Sequence, residues 1–236
     1  MDSRSLEGRL EGSREDVKLH TFNGFVPHRT ELNDPEKLLD YSKKLDNIIM
    51  NYIITNKFFI RKYDGPKGNK SEWTTATFER SRRGKLLYAM EGGKRIRPLI
   101  VKLVCDWLGE PFEPLIPAAV AVEKIHKASR IQDSITDMHK TIYGRPSFPE
   151  KYGVAAASTF VTSMLTRTYK FLDMKYSDHR NGLYLRDVME IVGRMVHGHE
   201  SEMENEVENY KELLKYYDEV TVGPIRLAME MPLAYY

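Results

Sequence analysis

The 236-residue sequence contains a single cysteine, Cys105. A disulfide framework within the chain is therefore excluded, and a reducing compartment is the easier reading, with a cytoplasmic location as the expectation. Cys105 ends the apolar run Leu99-Ile100-Val101-Lys102-Leu103-Val104, which makes it a small core residue. No stretch approaches the roughly 18 uncharged apolar residues that a membrane-spanning helix needs. The first 18 positions are polar and charged, without the apolar centre of a secretory signal. A dominant charge is missing as well. The formal net charge of +2 implicates neither nucleic acid nor an anionic membrane as partner. Strand patterns are nearly absent: there is no useful period-2 run, and no hairpin dipeptide joins two apolar runs.

What the chain does have is helical periodicity. Hydrophobic residues make up 41% and charged residues 30%, enough for one sizeable core under a well-solvated surface. Residues 1–33 read as a flexible tail, with the near-repeat Leu6-Glu7-Gly8-Arg9 and Leu10-Glu11-Gly12-Ser13. Residues 34–236 read as one helical domain. Asn33-Asp34-Pro35-Glu36 is a helix start, followed by Leu38, Tyr41, Leu45, Ile48, Ile49, Tyr52 and Ile53 at helical spacing. Further helices are expected over Thr74–Met90, from Pro98 to Leu108, and from Pro114 or Pro117 through Asp133 and Asp137. Others are expected over Val154–Leu172, from Leu183 to about Lys215, and near the C-terminus. The class is all-α, a bundle around one core.

Two segments carry chemistry. Gly92-Gly93-Lys94-Arg95-Ile96-Arg97-Pro98 gathers three cations on a glycine turn before a helix, and Lys94 and Arg97 can project to one side to grip a diphosphate. A helix end followed by solvated charges has the same composition. Asp133 and Asp137, four apart, share a helix face. Such a pair gains from a bridging cation, and Mg²⁺ is commonly held by one or two carboxylates plus substrate phosphates. An exposed acidic face is the plain alternative, but the apolar stretch Ala118–Ile131 argues for a central helix whose carboxylates need partners. His126, two turns before Asp133, could donate to a phosphate oxygen or be a satisfied core histidine. His199, Glu202 and Glu206 share another face. Zinc there is disfavoured because no HExxH pattern is present, and an acidic solvated helix is the usual meaning of such a run.

The motifs resemble those of the trans-isoprenyl diphosphate synthases, the polyprenyl synthetases. That family has GGKRxRP, followed by a helix reading roughly E-x-I-H-x-A-S-L-I-x-D-D-x-x-D. Here Glu123-Lys124-Ile125-His126-Lys127-Ala128-Ser129-Arg130-Ile131-Gln132-Asp133-Ser134-Ile135-Thr136-Asp137 stands in that place. Ile142-Tyr143-Gly144-Arg145-Pro146 stands for R-R-G-x-P, Gly198-His199-Glu200-Ser201-Glu202 for G-Q-x-x-D, and Val220-Thr221 for K-T.

The resemblance implies an isoprenoid synthase-type helical bundle around a central cavity, working as a homodimer or as a heteromer with a related subunit. It implies Mg²⁺-dependent condensation of isopentenyl diphosphate with an allylic diphosphate. It assigns Lys94, Arg95, Arg97, His126, His199 and Glu202 to substrate, Asp133 and Asp137 to metal, and Asp133, Asp137 and Thr221 to catalysis. Ala128, five residues before Asp133, hints at a longer product. The departures fall on the allylic half. Ser134 replaces the middle carboxylate, Ile142 and Tyr143 replace an arginine pair, Val220 replaces a lysine, and Arg130 replaces an aliphatic residue. The chain ends at Tyr236, before the family's second Asp-rich motif and C-terminal helices. A non-catalytic or regulatory subunit is therefore an alternative reading. A class I terpene cyclase is a third, which would not need the Lys94–Arg97 turn.

Overall fold

The structure is a computed structural model that describes residues 35–56, 81–177, 183–204 and 209–236. The expected tail at 1–33 lies outside them. Helix α1, Pro35–Thr55, starts on its proline and buries Tyr41, Leu45, Ile49 and Ile53, one residue per turn. The helix expected from Thr74 is described as α2, Arg82–Met90. The Ser81 hydroxyl caps it by accepting from the Gly84 N–H at 3.0 Å. Residues 74–80 lie outside the described set. Helix α3, Ile96–Leu108, starts two residues before the expected Pro98. Proline is tolerated there because first-turn N–H groups have no helical acceptor.

Helix α4, Ile116–Thr136, is the axis of the bundle, and every residue from Ile116 to Ile125 is buried. A helix buried on all sides must be surrounded, and α1, α2, α3, α6 (Val154–Tyr176) and α9 (Gly223–Tyr235) all pack on it. The Tyr176 hydroxyl pins the end of α6 to the start of α4. It accepts from the Ala118 N–H at 3.2 Å and donates to the Pro114 carbonyl at 2.9 Å.

Two expectations are corrected. The long helix expected from Leu183 to about Lys215 ends at Met203 as α7. Helix α8, Tyr210–Tyr216, starts afresh because the Asn209 side chain accepts from the N–H groups of Lys211 and Glu212. A π-helical turn, Tyr217–Val222, then leads into α9. Strand is present as well. Strands β1 (Thr141–Ile142) and β2 (Arg145–Pro146) pair antiparallel through Tyr143-Gly144, both with positive φ (54° and 73°). Those angles define the two-residue turn that fits a twisted hairpin. A short helix α5, Phe148–Tyr152, follows, capped by Ser147.

Candidate functional site

The turn between α2 and α3 is built by its own backbone demands. Gly92, Gly93 and Arg95 take positive φ of 77°, 93° and 54°. Glycine is at home there, whereas arginine is strained by about 1 kcal/mol. The strain is held by partners from three directions. The Arg95 guanidinium, 2% exposed, reaches Asp46 of α1 at 2.6 Å, Glu123 of α4 at 2.6 Å, and the Met90 carbonyl at the end of α2. Lys127 of α4 props the same turn by donating to the Gly92 carbonyl at 2.6 Å. Its ammonium also lies 4.7 Å from the centre of the Tyr143 ring. The Ser42 hydroxyl donates to the Lys94 carbonyl at 2.6 Å.

The result is an open cleft of about 460 Å³ lined by Gly93, Lys94, Arg95, Arg97, Glu123, His126 and Tyr143. Of the cations expected to meet a diphosphate, Arg95 is spent on the fold, while Lys94 is exposed. Arg97 is half-buried, and its buried Nε has no hydrogen-bond partner among the described residues. Burial pushes the Arg97 pKa down, only partly offset by Glu123. Burial also drives the His126 imidazole down to about 3, aided by Arg97, Lys127, Arg130 and Arg95. His126 is thus a neutral donor or acceptor in a positive field. The arrangement suits an anion bearing several oxygens.

A second cluster lies further along α4. The Asp133 Oδ2 accepts from the Arg130 guanidinium at 2.9 Å, and its Oδ1 faces His199 Nε2 at 3.6 Å. Burial raises the Asp133 pKa, opposed by His199 and Arg130. The other His199 nitrogen faces Glu202 at 3.7 Å, and Glu202 accepts from the Tyr216 hydroxyl at 2.9 Å. Asp137, by contrast, is the residue that ends α4. It is exposed, and its carboxylate faces His139 at 3.6 Å. Thr221 is exposed on the π-helical turn, and no hydrogen bond joins it to either cluster among the described residues.

The two aspartates expected to hold Mg²⁺ each have other neighbours in this arrangement. Mg²⁺ takes oxygens in a near-octahedral shell. One Asp133 oxygen is in a guanidinium pair, the other is buried without a hydrogen-bond partner among the described residues, 3.6 Å from His199 Nε2, and Asp137 faces His139. Among the described residues no three His, Cys, Asp or Glu side chains converge on one point. Glu206, weighed in sequence for zinc, lies outside the described residues.

Beside this cluster an apolar cleft of about 260 Å³ runs between α4, α6 and α7. It is lined by Ala128, Val161, Leu165, Val192 and Met195, with His199 among its polar groups. Sequence reasoning missed Lys127 and Tyr143 as builders of the basic cleft. Tyr143 covers the glycine turn closely, since a Cβ on Gly92 would lie 3.0 Å from its ring. Arg145, beside it, is bound to Glu91 and the carbonyl end of α2.

An all-α bundle with a basic cleft at its glycine turn and an apolar slot between α4, α6 and α7 has the isoprenoid synthase fold. Residues 83–234 match the polyprenyl synthetase family, and the chain belongs to it. It is 34% identical over 130 residues to the farnesyl diphosphate synthase of Bacillus subtilis, covering 51% of this chain and 44% of that protein. It is 31% identical over 98 residues to a geranylgeranyl diphosphate synthase of Methanosarcina mazei, covering 42% and 30%. Both matches span less than half the relative's length. The fold is similar to a geranyltransferase structure from Legionella pneumophila, at a TM-score of 0.66 and 21% identity, covering 89% of this chain and 70% of that one. It is also similar to the geranylgeranyl pyrophosphate synthetase of Geoglobus acetivorans, at 0.64 and 19%, covering 84% and 59%. No described helix is long and apolar enough to cross a membrane.

Proposed function

We propose that this chain binds isopentenyl diphosphate in the basic cleft and serves prenyl transfer to an allylic diphosphate. The observation that carries the reading is Arg97, whose buried Nε has no partner among the described residues, beside the neutral His126. A buried polar group without a partner costs about 1–3 kcal/mol, more when charged, and a diphosphate supplies the missing acceptors. Lys94 adds a point charge at the cleft mouth, and His126 offers a neutral ring nitrogen. The apolar slot beside Asp133 is chemically suited to a prenyl tail. Ala128, lining that slot with a small side chain, supports a longer product.

The reaction is a carbon–carbon condensation. The isopentenyl double bond attacks the allylic carbon, the diphosphate leaves with the electrons of the C–O bond, and a proton is lost. In the family that departure is aided by Mg²⁺; in this chain one Asp133 oxygen already pairs with Arg130. The Arg130–Asp133 ion pair favours a second reading, a subunit that binds substrate and modulates a related partner. Incubation with radiolabelled isopentenyl diphosphate, an allylic primer and Mg²⁺ separates the two. Label in a longer prenyl diphosphate supports turnover by this chain. No label alone, but stimulation of a related synthase, supports the subunit. Failure to bind isopentenyl diphosphate at all rejects both.

A further inference from the structure

Two ligand-type atoms from different helices face each other beside the apolar slot. Asp133 Oδ1, near the end of α4, and His199 Nε2, on α7, are both buried without a hydrogen-bond partner among the described residues. They lie 3.6 Å apart. That is too far for a charge-assisted hydrogen bond, which closes to about 2.7–2.9 Å. It is close to the separation of two donors on one metal ion, since bonds of about 2.0–2.2 Å in a tetrahedral shell set them about 3.4 Å apart. Each donor is also backed as a metal ligand is. The second oxygen of Asp133 accepts from Arg130 Nη1 at 2.9 Å, so Oδ1 is the one left to face α7. The second nitrogen of His199 faces Glu202 at 3.7 Å, and Glu202 accepts from the Tyr216 hydroxyl at 2.9 Å. Ligating imidazoles and carboxylates carry such outer partners, which fix their orientation.

We propose that Asp133 and His199 form a mixed oxygen–nitrogen site for a transition ion of the Zn²⁺ type, rather than a Mg²⁺ site. The family resemblance gives the metal to Asp133 and Asp137 on one helix. Here the second ligand is His199 of α7, so the fold alone brings the pair together and no sequence motif marks it. Its ligands also come from two helices, unlike the single-face set disfavoured for zinc in the sequence. Mg²⁺ favours an all-oxygen shell, whereas an imidazole nitrogen suits Zn²⁺. Two protein ligands leave the shell open, and water or the oxygens of an anionic ligand complete it.

The test uses metal alone, without a diphosphate, so its failure leaves the reading of the basic cleft untouched. The full chain is titrated calorimetrically with Zn²⁺ and with Mg²⁺, and the visible spectrum of its Co²⁺ form is recorded. The expected result is Zn²⁺ bound about tenfold or more tightly than Mg²⁺, with the intense Co²⁺ bands of a low-coordinate site. His199→Gln and Asp133→Asn, shown by thermal melts to be folded, are each expected to lose those bands and most of the Zn²⁺ affinity. Glu202→Gln spares both ligands and is expected to weaken Zn²⁺ by about tenfold. His197→Gln, exposed two residues away, is expected to leave binding unchanged. Mg²⁺ bound as tightly as Zn²⁺, or Zn²⁺ affinity unaltered by His199→Gln, overturns the proposal. So does a wild-type chain that binds no Zn²⁺, or whose Co²⁺ spectrum is that of an octahedral all-oxygen shell.

Discussion

The guanidinium of Arg95 lies 2.6 Å from the carboxylate of Glu123, and the two side chains are 1% and 3% exposed. This pair ties the glycine turn to the axis of the bundle, with Asp46 of α1 as a third member. Burying ions is costly, but removing one partner is costlier because the other is left uncompensated. Arg95→Met is expected to lower stability by about 3–5 kcal/mol. Denaturant unfolding followed by circular dichroism checks it. A loss under about 1 kcal/mol would mean the pair is replaceable and Arg95 is free for ligand.

Arg97 should behave in the opposite way. Its Nε is buried and unpartnered among the described residues, so Arg97→Met costs the fold little. The same change is expected to weaken isopentenyl diphosphate binding by about 10- to 100-fold, the worth of a charge-assisted contact. Calorimetry beside a thermal melt measures both. Unchanged affinity would show that the anion does not use this arginine.

Gly198 marks a close approach between α7 and the π-helical turn. A Cβ there would lie 2.6 Å from Val220 Cγ2. Gly198→Ala is expected to destabilise by about 1–3 kcal/mol through overpacking. Val220→Ala in the same chain should restore part of that loss, and a double-mutant cycle reads the coupling. Strict additivity would rule out the contact.

Stability should rise with pH through the neutral range. Burial lowers Lys124 to about 7, with Arg167 adding, and lowers Lys127 to about 8. The unfolded chain then binds more protons than the folded one from about pH 7 upward, so stability increases there, by at most about 1.4 kcal/mol per pH unit for each lysine. Cys105, pushed up to about 12 by burial, works against this only above its ordinary value near 9. Unfolding free energies between pH 6.5 and 8.5 test the trend. Lys124→Met should raise stability at pH 6.5 and flatten the slope.

The family and the helical class were legible because both are local. Helical periodicity placed α1, α4 and α6 nearly as observed. The glycine pair before Lys94 marked the turn because only a residue without Cβ tolerates those dihedrals cheaply. The hairpin at Tyr143-Gly144 escaped notice, since its turn is not one of the asparagine or aspartate pairs that signal such hairpins. The break after Met203 escaped for a related reason. Charged residues continue the helical pattern in sequence, and only the Asn209 cap shows where the next helix begins.

The sequence by itself determined which groups are present: cations on a turn, a histidine and carboxylates on one helix, and apolar stripes that require a bundle. Tertiary structure alone decided how each charge is used. Arg95 and Arg97 are two residues apart and alike in chemistry, yet one is locked to Asp46 and Glu123 while the other faces the cleft. Asp133 and Asp137 are equally alike, yet one meets Arg130 and His199 while the other ends the helix in solvent. The physical reason is that a charge takes its role from burial and from the nearest opposite charge, and both are set by elements distant in sequence.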